Sequence, residues 1–407
     1  RSYRKSIYIN KENVLRKTLK IAIYSGVLPA TTFVENLIKE VGNHHQVYIF
    51  GTIKSSISYT SKNIYIIETP TNQLRNIPLT ISRVLKLVFI NPNLIGKAYK
   101  EAKRYKSFYE QWMRFSRFIP VLLYKPDVFH LQWASKIDRW MFLKQAYNCK
   151  IALSLLGSNV NVDPISNPNL KEVYYKYFPN IDAFQAVSHD LAKTAINFGA
   201  KPETVKVIRT TILKDTFKHF KIKTKTNKTL ELLSVGRHHW IKGYKYVIEA
   251  LVILKKQGFI VYYTIIAQGA IPDELSFLVQ RYGLQHQVSF KAGLPQESLF
   301  STMHNYDALV LPSLSEGVAN VALEAMTLGI PVISCNCGGM SEIIINNETG
   351  WLVPIANPLA LSRAIIEFSN ATEEFKQRII QNAFKFVSTQ FDTEKVVSEY
   401  LEFYKTI

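Results

Sequence analysis

The 407-residue chain is 47% hydrophobic and 20% charged, the balance of a folded protein rather than a disordered one, and it is long enough for two cores. It contains no run of about 18 apolar residues, so no membrane span is expected, and its first stretch, RSYRKSIYINKENVLRK, lacks the apolar core of a signal peptide. Its cysteines, Cys149, Cys335 and Cys337, are too few for a disulfide framework or a four-ligand zinc site. A reducing, cytoplasmic setting is expected, with Cys335-x-Cys337 read as small buried residues.

The net charge of +19 is unevenly placed. Residues 231–407 hold 13 Lys/Arg against 17 Asp/Glu, net −4, and residues 1–230 hold 37 against 14, net +23. Such asymmetry points to a polyanionic partner for the first part of the chain: an anionic membrane, a nucleic acid or a polyanionic substrate.

In chain order, residues 1–19 are basic and without a clear period. Lys20–Gly26 reads as a buried strand, followed by a loop Val27–Ala30 and a helix from Thr31 or Thr32 to Val41 with Phe33, Leu37, Ile38 and Val41 on one stripe. This strand, glycine and helix start make Gly26 and Thr31 cleft candidates. Gln46–Phe50 is the next strand, and residues 53–73 are short strand-like pieces. Residues 75–125 carry 11 Lys/Arg against only Glu101 and Glu110, interleaved with aromatic and aliphatic residues. Ile81, Val84, Leu85, Val88 and Phe89 share one helical face. A basic amphipathic stretch of this kind suits an interfacial helix on anionic lipid; an ordinary core contact would produce the same stripe. Asp127–Trp133 is a strand holding His130, where a lone histidine is more often a satisfied core residue than a functional one. Lys150–Leu155 is a strand running into Gly157, Ser158 and Asn159. A strand Ala183–Ser188, a helix Asp190–Phe198 closed by Gly199 and a strand Val205–Thr211 complete this half. The basic, threonine-rich segment 214–229 reads as a linker.

Beyond it, strands near 230–235, 261–267, 288–291, 308–312 and 331–335 alternate with helices near 243–257, 272–282, 296–304, 320–329, 340–346 and 358–369. This alternation implies a doubly wound parallel sheet. Helical patterns at 373–390 and 394–405 follow.

The stretch Pro312–Glu324, PSLSEGVANVALE, organises the second half. A buried-looking strand enters it and a helix leaves it. Glu316 falls on the strand-to-helix loop, and Glu324 lies about one turn inside the helix. Gly317 lets the backbone approach a ligand, Asn320 is a candidate N-cap, and the free amides at the helix start, near Val318, Ala319 and Asn320, suit a phosphate. At the carboxyl edge of an α/β sheet this is the arrangement of a nucleotide site.

Four ordered segments then carry a resemblance. Ser234–Gly243 contains Gly236-Arg237 and Lys242-Gly243, Ile265–Gly269 is a strand ending in a glycine, Pro312–Glu324 holds two glutamates separated by seven residues, and Gly329–Ile333, Gly338-Gly339, Glu342 and Thr349–Pro354 close the series. Together they resemble the family 4 (group 1) retaining glycosyltransferases of GT-B fold. The resemblance implies two Rossmann-like doubly wound domains facing across a cleft: residues 1–213 on the acceptor side, 230–390 on the nucleotide-sugar side, and a terminal helix, 391–407, crossing back. It implies transfer of a sugar from a UDP- or GDP-linked donor to a glycan or lipid-linked acceptor, without a metal or other cofactor, in polysaccharide or glycolipid synthesis. The enzyme is then expected on the cytoplasmic face of a membrane, bound through residues 1–125, with no nucleic-acid partner.

In that reading Arg237 and Lys242 neutralise the leaving diphosphate, Glu316 contacts the sugar, and Glu324 accepts from the ribose. Gly236, Gly269, Leu294, Gly317, Val318, Ala319 and Asn320 complete the donor site. Gly26, Thr31, His130, Gly157, Ser158 and Asn159 are candidates for the acceptor cleft. The family's strand end of histidine-glycine-x-aspartate is replaced by Leu156-Gly157-Ser158-Asn159, and its usual proline-asparagine-glycine turn by Arg209-Thr210-Thr211. These departures leave open a nucleotide-sugar-binding protein without transfer activity. A basic nucleic-acid-binding protein is the remaining alternative, and it leaves Arg237, Lys242, Glu316 and Glu324 unexplained together.

Overall fold

The computed structural model describes residues 18–223 and 229–407, and the expectations for residues 1–17 and for 224–228 within the linker lie outside them. The chain divides into two compact units, the first taking residues up to Leu28 and Ile38–Phe129, the second Pro29–Leu37 and His130–Ile407. Among the described residues no helix is long and apolar enough to cross a membrane.

In the first unit, β1 (Lys20–Tyr24), β2 (Gly26–Leu28), β3 (Gln46–Ile53) and β4 (Ile64–Glu68) are parallel. β1 and β2 lie along one edge of β3, with Lys20 opposite Gln46 and Gly26 opposite Gly51, and β4 takes the other edge. The expected loop at residues 27–30 thus begins as a strand. The break between β1 and β2 falls at Ser25 and Gly26, where Gly26 has φ 84° and a Cβ on Gly51 would stand 2.8 Å from the Gly26 carbonyl carbon.

Helix α1 (Thr32–Val41) precedes β3. Helices α2 (Gln73–Ile90), α3 (Asn93–Ala102) and α4 (Phe108–Tyr124) occupy the basic stretch. Asn72 caps α2 by accepting from the Leu74 amide, and Ser107 caps α4 by accepting from the Glu110 amide. The inner face of α2 is largely polar. Buried Asn76 donates to Ser116 on α4 at 3.2 Å, and buried Thr80 donates to Asn76 at 3.3 Å. Leu87 is buried with them, but most of the other apolar residues of α2 face outward: Leu74 is 86% exposed and Phe89 89%, with Ile77, Ile81, Leu85 and Val88 exposed between them.

In the second unit, β6 (Lys150–Leu155), β7 (Ala183–Ala186) and β8 (Val205–Val207) pair in parallel, after β5 (Val128–Leu131) has carried the chain across the unit boundary. A second parallel sheet is built from β9 (Leu230–Arg237), β10 (Val261–Gln268), β11 (Val288–Ala292), β12 (Ala308–Leu311), β13 (Val332–Cys335) and β14 (Trp351–Val353), in the order β11-β10-β9-β12-β13-β14. The order reverses between β9 and β12, so their carboxyl ends flank a topological switch point. Core residues on the two faces include Ile248, Leu251 and Ile265 on one side and Ala322, Leu323 and Met340 on the other. The helix expected over 340–346 is instead a short 3-10 turn, Gly338–Glu342. The expected linker is packed where it is described: Thr216 is buried, the Lys221 amide donates to the Leu328 carbonyl, and Lys223 pairs with Asp307 at 3.0 Å.

The terminal helix Thr393–Lys405, capped by Asp392, brings Tyr404 to the end of β5. His130 Nδ1 lies 2.7 Å from the Tyr404 hydroxyl, and its Nε2 lies 2.9 Å from Ser154 Oγ. The imidazole is fully buried, and burial pushes its pKa down to about 3. His130 is therefore a neutral core residue rather than a cleft residue. Tyr404→Phe is expected to lower the unfolding free energy in urea by about 1–3 kcal/mol, the cost of a buried polar nitrogen losing its partner. An unchanged midpoint would show that this hydrogen bond contributes nothing.

Candidate active site

The loop after β12 is clamped by backbone on several sides. The Leu314 amide donates to the Ile241 carbonyl at 2.8 Å. At Gly243 (φ 64°) a Cβ would stand 2.1 Å from the Pro312 carbonyl oxygen, and at Gly338 (φ 53°) it would stand 1.8 Å from that of Glu316. Both positions combine a left-handed backbone with a contact no side chain tolerates. Gly317 in turn lies against the Leu156 carbonyl and Gly157. The loop is thus fixed in place before its side chains are considered.

Glu316 Oε1 accepts from Lys242 Nζ at 2.6 Å and from Ser313 Oγ at 2.7 Å. Both partners of the ion pair are largely shielded, with side-chain exposures of 17% for Lys242 and 13% for Glu316. The two residues, read separately from the sequence, thus face each other as an ion pair across two loops. Arg237, exposed at the end of β9, lines the same cavity of about 210 Å³. Glu316, Gly317, Val318 and Asn320 form one wall of this cavity, and Leu156, Gly157, Ser158 and Asn159 another. Gly236 lies just beneath, where a Cβ would meet the Tyr244 hydroxyl at 2.7 Å and Lys242 Cε at 3.4 Å.

The helix Asn320–Leu328 opens at this cavity. Ala319 occupies its N-cap position and contributes no side-chain hydrogen bond. Asn320 is the first helical residue rather than the cap, and its side chain accepts from Thr210 Oγ1 at 3.3 Å. The helix start consequently presents amides with no side-chain cap, as an anion site does.

A neighbouring cavity of about 310 Å³ shares Phe33 and Asn320 with the first and includes Thr31, Thr211, Gln296 and Glu324. Glu324 accepts from Gln296 Nε2 at 2.8 Å, and burial raises its carboxyl to about 7. Thr31 sits at the start of α1, its carbonyl accepting from the Val34 and Glu35 amides.

The sequence-derived candidates therefore separate. Arg237, Lys242, Glu316, Gly317, Val318, Asn320 and Gly157–Asn159 gather in one cavity, and Thr31 and Glu324 in the next. Gly269 and Leu294 follow β10 and β11 at the same sheet edge but line neither cavity. Gly26 belongs to the first unit, where it pairs with Gly51. Sequence reasoning missed Phe33, Ser313 and Gln296. Ser313 was visible within the glutamate stretch and Phe33 only as a member of the apolar stripe of α1, whereas nothing in the sequence marks Gln296.

The comparisons with known proteins agree with this geometry. The two parallel sheets are shared with solved structures of GT-B fold. One is Anabaena Alr3699/HepE in complex with UDP-glucose (TM-score 0.70, 15% identity, 96% of this chain and 100% of that chain). Another is sucrose-phosphate synthase from Thermosynechococcus elongatus (TM-score 0.71, 20% identity, 95% and 98%). The fold is GT-B. Residues 215–386 match the model of the family described as Glycosyl transferases group 1.

Curated relatives include the putative colanic acid biosynthesis glycosyltransferase WcaL of Salmonella typhimurium, 28% identical over 264 residues, covering 63% of this chain and 64% of that protein. The amylovoran biosynthesis glycosyltransferase AmsK of Erwinia amylovora is 29% identical over 228 residues, covering 54% and 56%. The chain spans less than two thirds of the length of these relatives.

Glu324 sets a pH dependence whose sign follows from its raised pKa. Below about pH 4.5 the group is protonated in both the folded and the unfolded chain. As pH rises toward about 7 only the unfolded chain ionises freely, so the stability conferred by the neutral form is lost. Glu324→Gln removes this loss. The variant is expected to exceed the parent in stability by roughly 1–3 kcal/mol at about pH 8 and to match it near pH 4. Thermal unfolding curves of the two proteins that stay parallel from pH 4 to 8.5 would contradict the assignment.

Proposed function

We propose that this chain is a retaining glycosyltransferase that moves a sugar from a UDP- or GDP-linked donor to a glycan or lipid-linked acceptor in polysaccharide or glycolipid assembly. The observation that carries the reading is the Lys242–Glu316 pair at the switch point, sharing one cavity with Arg237 and with a helix start that no side chain caps. The relatives named for colanic acid and amylovoran biosynthesis favour polysaccharide assembly.

In this reading the diphosphate lies over the helix start. Arg237 can grip two of its oxygens, while Lys242 acts as a point charge. Cations aimed at the developing charge of the leaving group stabilise the transition state, which makes a metal unnecessary. Glu316 aims Lys242 and meets the sugar hydroxyls. Glu324, with Gln296 beside it, accepts from the ribose hydroxyls. The acceptor attacks from the face that the diphosphate leaves, and a phosphate oxygen takes its proton, so the anomeric configuration is retained. Leu156 brings no ionisable group to the cavity wall, so the proton has no histidine to go to at that position.

The peripheral membrane reading is supported by α2, whose buried side carries Asn76 and Thr80 while its aliphatic side faces outward. An outward apolar stripe flanked by Arg75 and Lys86 suits an anionic lipid surface.

Titration calorimetry with UDP, GDP and ADP, followed by a panel of UDP- and GDP-sugars with product detection, tests the activity. One nucleotide is expected to bind, and one of its sugars to be slowly hydrolysed in the absence of acceptor. Arg237→Ala, Lys242→Ala and Glu324→Ala should each reduce donor affinity or turnover at least tenfold, about 1.4 kcal/mol. No nucleotide binding would overturn the site. Binding without hydrolysis or transfer to any acceptor would favour the protein without transfer activity.

A further inference from the structure

Helices α3 and α4 leave a groove of about 220 Å³ in the first unit. Tyr99, Ala102, Phe108, Trp112 and Phe115 form its apolar walls, and Lys103 and Gln111 are its polar members. Phe108 is 84% exposed although it directly follows the Ser107 cap, so its ring contributes little to packing within the unit. One wall is fastened to α2: the Trp112 indole N–H donates to Gln73 Oε1 at 2.8 Å, and the next residue, Leu74, begins the outward aliphatic stripe of that helix. The groove thus lies beside the start of α2, the end of the helix from which the stripe runs.

The charge around the groove is predominantly positive. Lys103 Nζ lies 5.2 Å from the centre of the Tyr99 ring, and Lys100 and Lys106 are exposed nearby. Arg104 and Arg114 are paired with Glu101 and Glu110, the only acidic residues of the 75–125 stretch. Among the described residues no acidic side chain lines the groove itself. A slot with aromatic walls and a cationic mouth is complementary to a hydrocarbon chain ending in an anionic head.

We propose that this groove takes one acyl chain of an anionic phospholipid, drawn from the leaflet on which α2 lies, with the head-group phosphate meeting Lys103. The proposal rests on the peripheral membrane reading and adds a defined lipid site to it. A protein partner would have to supply an acidic, aliphatic segment that fits the same slot; a charged leaflet supplies both features at every point.

The test uses vesicles of phosphatidylcholine with about a third phosphatidylglycerol, their acyl chains brominated, and follows cosedimentation and tryptophan emission together. The protein should bind, and bromine should quench a component of the emission that is absent in Trp112→Phe. Phe108→Ser and Lys103→Glu alter exposed side chains and should each weaken vesicle binding about tenfold, with thermal unfolding unchanged. Binding with Trp112 unquenched would overturn the groove while leaving the surface reading intact. Equal binding and quenching with pure phosphatidylcholine would overturn the anionic head group. No binding to the anionic vesicles would overturn the membrane reading and the groove with it.

Discussion

An ammonium and a carboxylate 2.6 Å apart, both largely withdrawn from water, hold the second unit's site together. Each charge would be costly to bury alone, and each is tolerated because the other is there. Lys242 comes from the turn after β9 and Glu316 from the loop after β12, neighbouring strands on either side of the switch point. The pair fixes how closely those two loops approach, and the glycine contacts of Gly243 and Gly338 fit around that spacing. It also sets the electrostatics of the cavity. Lys242 and Glu316 cancel each other, so Arg237 and the helix start provide the attraction felt by an arriving anion. Any anion that reaches Lys242 competes with Glu316 for it, so an anion's arrival is coupled to the freedom of that carboxylate.

Much of this site was legible in the sequence because its signals are local. The strand Ala308–Leu311, the loop with Glu316 and the helix with Glu324 lie within a short stretch of chain, and apolar periodicity with glycine placement is enough to place them. The alternation of the second half likewise gave its sheet, apart from β14, whose three residues are too short for a period. What escaped was set by distant contacts. Asn320 looks like a cap by type, yet its side chain is engaged by Thr210, 110 residues away. Lys242 and Glu316 could each be assigned to a ligand, but their pairing depends on two loops meeting in space. Gln296 gains meaning only because the helix it begins stands beside Glu324.

The first unit shows a different kind of limit. The period of α2 was plain, but a period does not say which face is inside. Here most of the aliphatic stripe is outward, and an amide and two hydroxyls, Asn76, Thr80 and Ser116, join Leu87 in the inner contact. A hydrogen-bonded seam can replace an apolar one when every member is satisfied, and it releases the aliphatic face for another use. The charge asymmetry of the sequence pointed to this part of the chain, and the orientation of α2 gives that charge an apolar companion on the same surface.

The contact of Tyr404 with His130 has a consequence for how the protein is made. The two residues are 274 positions apart, so the strand that holds His130 leaves the ribosome long before its partner exists. At about 5–20 residues per second that interval is roughly 14–55 s. During it the imidazole that later packs against Tyr400, Phe403 and Tyr404 is uncovered, and beside Ser154 it can take up a proton that it excludes in the finished fold. The second unit therefore closes late and from its far end, and the nascent chain has a sticky, titratable patch that a chaperone could hold until synthesis is almost done.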